Sequence, residues 1–399
     1  MPSDLLKLNI VTLIPIPPFI IGEVLSKLAY VDELIESASI RPDGSSVHLE
    51  FKAEPSPVQI TKITNKVHEV IDIMAKNARP PRIKVLEDES NRLTPFKQDP
   101  MEDLLRTNEV FIEDEGLLLL GPLMSTLINF FESKFLYLAE QLNATAYKFP
   151  TLIPAKYLDR VNYFRAFPHS LTFATHLRED YDVINEFADK ACCDEHGLIA
   201  PENSFSQIQT LLSPAVCYHL YFFLADKPLP DDHLIATAVG NCFRYESSNL
   251  TSLERLWNFT MREVIFVGSQ SFVLDQREKA RNIMRSLFCD IGMAYRVESA
   301  NDPFFIGEFQ KQAAFQSAFQ LKYEIRASLP FKESTLAIGS YNFHQDFFGR
   351  HLNITLSDGS PANTGCVAFG LERCAYAFLA QFGFDKSKWP KIVQEFFNE

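Results

Sequence analysis

Two strand-like runs carry the densest chemistry in the chain. They are residues 240–246 (Gly-Asn-Cys-Phe-Arg-Tyr-Glu) and 255–263 (Arg-Leu-Trp-Asn-Phe-Thr-Met-Arg-Glu), and a polar loop separates them. Side chains alternate across a strand. Arg244 and Glu246 then share one face of the first run, and Phe259, Met261 and Glu263 share one face of the second. Folded as an antiparallel hairpin, one face offers a cation, an aromatic plate and two carboxylates. That set suits a nucleotide: an Arg for phosphate, the Phe for the base, a carboxylate for an amino group. It equally suits an amphipathic hairpin with surface ion pairs. In residues 364–373 (Thr-Gly-Cys-Val-Ala-Phe-Gly-Leu-Glu-Arg) a strand runs through a Gly turn into a helix. Arg373 falls in the first helical turn, where the helix dipole favours negative charge. A bound phosphate would account for it, as would pairing with Glu372 or another acid. In residues 340–354, Asn342, His344, Asp346 and Arg350 line one face if the segment is extended. The alternative is a loop packed by Phe343, Phe347 and Phe348.

Other chemistries lack their signatures. The seven Cys form no Cys-x-x-Cys pair, Cys192 and Cys193 are adjacent, and no local spacing declares zinc. No Gly-x-x-x-x-Gly-Lys-Ser/Thr loop is present, which excludes a P-loop.

The 399 residues contain 46% hydrophobic and 22% charged side chains, an ordinary globular balance for two to three domains. With 38 Lys and Arg against 51 Asp and Glu, the net charge is −13, the opposite of a nucleic-acid footprint. The 35 Phe call for a deep aromatic core or pocket. The longest uncharged run, 203–225, contains Gln207, Gln209, Pro214 and His219 and fits a buried element better than a membrane span. An odd Cys count and no signal peptide point to a cytoplasmic protein with reduced thiols and no membrane.

The elements that must position these groups follow from periodicity. Strands are expected at 8–13, 37–40 and 47–51, with a turn at Pro42-Asp43-Gly44 and a further strand at 83–86. Helices are expected at 19–37 and at 58–74, the second capped by Ser56 with Pro57 as its first residue. This makes residues 1–87 a small N-terminal α+β domain, 88–101 a charged linker, and 102–399 a second domain. There a helix spans 124–142, a short strand 144–149 follows, and a helix over 273–290 carries Arg277, Lys279, Arg281 and Arg285.

Together the three groupings resemble the class II aminoacyl-tRNA synthetases. Phe243-Arg244-Tyr245-Glu246, with Phe259 four before Glu263, is similar to motif 2, residues 365–373 to motif 3, and the helix 124–142 with Pro150 to the dimer-forming motif 1. The fold implied is α+β: an antiparallel sheet flanked by helices, with the small domain added. The chain most resembles the atypical zinc-dependent seryl-tRNA synthetases. That resemblance joins Cys217, Glu263 and Cys366 as Zn²⁺ ligands, although 46 and 103 residues separate them. Residues 340–349, Asn301-Asp-Pro-Phe-Phe305 and 365–373 resemble the amino acid:[carrier protein] ligases, truncated homologues that do not charge tRNA.

The resemblance implies activation of a small amino acid, glycine or alanine, by ATP as an aminoacyl-adenylate. Transfer to the phosphopantetheine thiol of a carrier protein follows. It gives Arg244 the α-phosphate, Arg373 the γ-phosphate, Phe259 the adenine ring and Glu246 its amino group, with Arg255 also at the phosphates. Arg244 and Arg373 are then the catalytic pair. Where the synthetases often hold Mg²⁺ with a Glu, this chain has Ser357 beside Asp358. A homodimer is implied and tRNA is not. The alternatives are a tRNA-charging enzyme and a non-catalytic paralogue. The carrier protein would dock on the small domain or on the basic residues of helix 273–290, which also fit a solvated face.

Overall fold

The computed structural model describes residues 6–76, 78, 80, 83–195, 197–247, 250, 252–300 and 321–398. The Asn301–Phe305 signature lies outside them.

The N-terminal residues build a small sheet with two helices. Strands Leu6–Val11, Ser46–Phe51 and Ile35–Ile40 make an antiparallel sheet with Ser46–Phe51 in the centre. Gly44 takes a φ of +69° in the turn, and a Cβ there would lie 2.1 Å from the Ile16 carbonyl oxygen, so the turn needs glycine. The first helix is Ile21–Leu28, far shorter than 19–37. Asp32 ends the possibility of continuation: its carboxylate accepts from Leu34 N at 3.2 Å, an Asx turn that feeds the chain into strand Ile35–Ile40. Helix Pro57–Ala75 starts as expected, with Ser56 and Gln59 exchanging hydrogen bonds in a capping box. It buries Ile63, Val67, Val70, Ile71 and Met74 against the sheet.

The large sheet has eight strands in the order Val85–Asp88, Tyr295–Ser299, Lys322–Leu329, Ser334–Gln345, Asn363–Gly370, Asn258–Gly268, Leu234–Phe243, Thr145–Ala146. Its pairings are antiparallel, except that Thr145–Ala146 runs parallel to Leu234–Phe243. The strand expected at 83–86 is therefore an edge of the large sheet and not part of the small one. The strand expected at 144–149 shrinks to two residues. Residues after Asp88 run pinned along the large domain: Arg92 donates to the Phe288 and Met293 carbonyls at 2.9 and 3.3 Å, and Phe96 N to Gln381 O at 3.0 Å.

Helices Pro122–Gln141, Gln270–Ile291 and Leu371–Phe382 cover one face of this sheet. The Phe-rich composition is used here. Phe130, Phe131 and Phe135 are fully buried, and Phe135 stacks on Phe369 with ring centres 3.9 Å apart. Arg262, on Asn258–Gly268, is ion-paired with Glu132 of the first of these helices and donates to Thr237 Oγ1 at 3.0 Å. That link fixes the strand on which the site depends. On Gln270–Ile291 the cations are matched locally: Lys279 pairs with Asp275, Arg281 with Glu87 and Glu278, and Arg285 with Glu89. Arg277 is buried over the Tyr323 ring. They form no open basic strip. The uncharged run 203–225 divides into strand Thr210–Leu212 and helix Cys217–Leu224. Among the described residues no helix is long and apolar enough to cross a membrane.

Candidate active site

The opposite face of the large sheet carries the chemistry, and strand register explains why. Glu263 pairs with Ala368 and Ile265 with Cys366; Cys366 pairs on its other side with Asn342. Residues opposite one another project to the same face, as do residues two apart. Glu263, Cys366 and Asn342 are thereby brought to one face from three strands. Gly365 permits the close approach, since a Cβ there would lie 2.6 Å from the Asn342 carbonyl oxygen. Helix Cys217–Leu224 crosses this face and brings in Cys217 at its first residue.

The ligand atoms of Cys217, Glu263 and Cys366 all lie within 4.8 Å of one another. Zinc bonds of about 2.0–2.3 Å would place such atoms about 3.5 Å apart, so little adjustment is needed. The three residues are 6%, 1% and 3% exposed. Glu263 Oε1 accepts from Val216 N at 3.0 Å, while Oε2 is buried with no hydrogen-bond partner. A buried carboxylate oxygen left unpaired is costly, and a cation would satisfy it. Asn342 Nδ2 donates to Cys366 Sγ at 3.4 Å, an outer contact that orients a sulfur ligand. The thiols and the carboxyl respond to burial as expected without a countercharge. The hydrogen bond with Cys366 and burial hold Cys217 well above its usual value. For Cys366 the bond from Cys217 pulls downward, but burial and Glu263 outweigh it. Burial raises Glu263, against the two thiols and the Val216 and Cys217 amides, which pull it down. Two thiols and a carboxyl in this arrangement fit a zinc ion.

The other end of the same face gathers the cations. Strand Leu234–Phe243 ends before Arg244, so Arg244 and Glu246 are not strand residues; the backbone stays close, with Arg244 N donating to Trp257 O at 2.9 Å. Arg244 Nε donates to Pro214 O at 3.0 Å, and its guanidinium lies 5.5 Å from the centre of the Phe259 ring. Glu246 is ion-paired with Arg255. Arg373 donates to Ala337 O at 3.2 Å. Burial lowers its guanidinium, Glu246 pulls the other way, and Arg255 and Arg244 add to the lowering. These groups, from three parts of the sequence, share one electrostatic field.

Glu372 is not the partner of Arg373 that the local sequence offered as an alternative. Its two carboxylate oxygens accept from Thr260 N at 2.8 and 2.9 Å, which ties the helix start to the strand bearing Phe259. Residues 340–354 divide. Asn342 and His344 stay on strand Ser334–Gln345, and His344 Nδ1 lies 3.1 Å from Thr364 Oγ1 and 3.5 Å from the Tyr221 hydroxyl. Asp346 and Arg350 leave that face, because helix Phe347–Leu352 begins there and the two pair at the surface. Ser357 also lies elsewhere, on an exposed turn, bonded through N and Oγ to Asp232, while Asp358 accepts from Ser360. Roles for Asn342 on the sulfur and Glu372 on the strand had no local signal; both depend on register between distant segments.

No family profile matches the chain. Amino acid–[acyl-carrier-protein] ligase 1 of Bradyrhizobium diazoefficiens is 35% identical over 251 residues, 63% of this chain and 75% of that protein. The type-2 serine–tRNA ligase of Methanococcus aeolicus is 25% identical over 336 residues, 80% of this chain and 63% of that protein. Among solved structures, M. kandleri SerRS in complex with A. aeolicus tRNASec superposes with a TM-score of 0.73 at 19% identity, covering 98% of this chain and 77% of that one. This last likeness concerns the fold and takes in the small domain.

Proposed function

The chain belongs to the amino acid–[acyl-carrier-protein] ligase family, related to the type-2 seryl-tRNA synthetases, and from that premise we propose how it joins an amino acid to a carrier protein. The substrate is a small amino acid, glycine or alanine. Support comes from the active face between its two ends, where Val216, Ala238, Cys242, Met261 and Ala368 form an apolar cluster with Phe149 and Phe259 and offer no partner to a charged side chain.

In the first step a carboxylate oxygen of the amino acid attacks the α-phosphorus of ATP, and the bond to pyrophosphate breaks. Charge grows on the phosphate oxygens, and fixed cations aimed at them lower the barrier without reorganising. Arg244 takes the α-phosphate, Arg373 the γ-phosphate, and Arg255 assists. Phe259 stacks on adenine, and Glu246 accepts from its amino group. In the second step the phosphopantetheine sulfur attacks the adenylate carbonyl, and AMP leaves. Cys217, Glu263 and Cys366 would hold zinc, and the ion would supply a Lewis acid for the substrate's α-amino group. Asn342 keeps the Cys366 sulfur aimed. Mg²⁺ accompanies ATP.

The observation that carries this reading is the convergence of Cys217, Glu263 and Cys366 on the sheet face that also bears Phe259. The enzyme acts as a cytoplasmic homodimer. The hairpin Val110–Asp114 and Leu117–Leu120, ahead of helix Pro122–Gln141, supports dimerisation by exposing Phe111, Ile112 and Leu119. Charging of tRNA is the second reading, favoured by the small domain's inclusion in the likeness to the seryl enzyme and opposed by the net charge of −13. The test offers radiolabelled amino acid and ATP separately to total tRNA and to holo carrier protein. Label on the carrier, insensitive to ribonuclease, is expected. A ribonuclease-sensitive product would overturn the proposal.

A further inference from the structure

The end of helix Ile21–Leu28 in the small domain touches the loop that carries Glu246. The Tyr30 hydroxyl donates to the Tyr245 carbonyl at 3.3 Å, and Ser247 Oγ donates to the Ala29 carbonyl at 3.4 Å. The Tyr30 ring meets the His169 ring edge-on, with centres 5.1 Å apart. Lys27, in the last turn of the same helix, is 3% exposed. Burying an ammonium is costly unless a negative charge lies near, and Glu246 is the carboxylate whose field acts on it. Burial still lowers Lys27 to about 8 and, with Lys27 beside it, lowers His169 to about 4. The corner therefore presents one buried cation to Glu246 from a domain outside the catalytic sheet.

We propose that Lys27, with Ala29 and Tyr30, is a positioning element for nucleotide binding, acting through Glu246 and the backbone of residues 245–247. The inference rests on the assignment of Glu246 to the adenine amino group. Glu246 is ion-paired with Arg255, and a phosphate on Arg255 competes for that partner. Lys27 lies on the other side of the competition: it keeps a positive charge beside Glu246 while Arg255 turns to phosphate. The carboxylate then stays ionised and oriented as an acceptor. The small domain is thus part of the ATP site, whatever else it binds.

The test measures KM for ATP and for the amino acid, and kcat, by ATP–pyrophosphate exchange in full-length variants. Lys27→Met is expected to raise the ATP KM about tenfold, with the amino acid KM changed less than about twofold, the signature of lost ground-state binding at one substrate. Lys27→Arg should restore most of it. Tyr30→Phe, which removes one hydroxyl, should raise the ATP KM about threefold in the same sense. Glu246→Gln separates the two claims. If it raises the ATP KM and Lys27→Met then adds nothing in the double variant, the coupling holds. Additive effects, or equal rises in both KM values, would overturn the positioning role while leaving Glu246 its own. An unchanged ATP KM in Glu246→Gln would overturn the assignment of Glu246 and this inference with it. If Lys27→Met does not fold, Tyr30→Phe with an unchanged ATP KM overturns the inference.

Discussion

Cys217, Glu263 and Cys366 sit inside the large sheet and the helix across it, almost without contact to solvent. Arg255 stands exposed at the other end of the same face, and Arg244 and Glu246 are half-buried on a loop past a strand end. The first end is built by backbone register. Two of its three residues cannot move without shifting a strand pair, and Gly365 sets the third strand close enough for Asn342 to reach the sulfur. The second end is held by side-chain contacts: Arg244 against Phe259 and Pro214, Glu246 between Arg255 and the small domain. The difference suits the two substrates proposed, an amino acid at the first end and ATP at the second. A small amine needs one fixed anchor in a dry pocket, where electrostatic interactions are strong. A large polyanion must enter and leave through solvent, and a cation such as Arg255, now paired with Glu246, is free to change partner as it does.

The comparison can be broken at its rigid end first. Cys366→Ala is expected to lower amino acid activation at least about a hundredfold, a loss at the top of the range seen for changes around a metal, and to bring zinc well below one per chain. A variant that activates normally would remove the reason for the buried trio. At the loose end, Arg373→Ala should lower kcat/KM for ATP about a hundredfold, as loss of one charge-stabilising group does, while zinc content stays at the wild-type level. Loss of zinc in that variant would mean the two ends are not separate. A tenfold effect is expected from Asn342→Ala, which leaves the ligands in place but frees the sulfur; its readout is faster zinc loss to a chelator. The smallest effect belongs to Phe259→Leu, a several-fold rise in ATP KM from lost stacking, with the amino acid KM unchanged.

Legibility followed the same division. The hairpin face with Phe259, Met261 and Glu263 could be read from alternation, and the Ser56–Pro57 helix start from its capping residues, because both are local patterns. Alternation failed at Arg244 and Glu246, which lie just past the strand, and at Asp346, where a helix replaces extended chain. Cys217 sits in an uncharged run with no local metal-ligand spacing; only the family resemblance links it to Glu263 and Cys366. Strand Val85–Asp88 was read as part of the small domain because nothing in four residues reveals which sheet they join. Glu372 on Thr260 and Tyr30 on the Tyr245 carbonyl are tertiary contacts between segments more than a hundred residues apart, and no spacing within either segment encodes them.

Zinc bound by the purified, full-length protein tests the central claim most directly. Metal analysis joined to zinc X-ray absorption should give one zinc per chain, with two sulfur ligands at about 2.3 Å and oxygen or nitrogen ligands at about 2.0 Å. Addition of the preferred amino acid should change the oxygen and nitrogen shell and leave the sulfurs in place. Fully active protein with well under one zinc per chain, or zinc without sulfur ligands, would contradict the account.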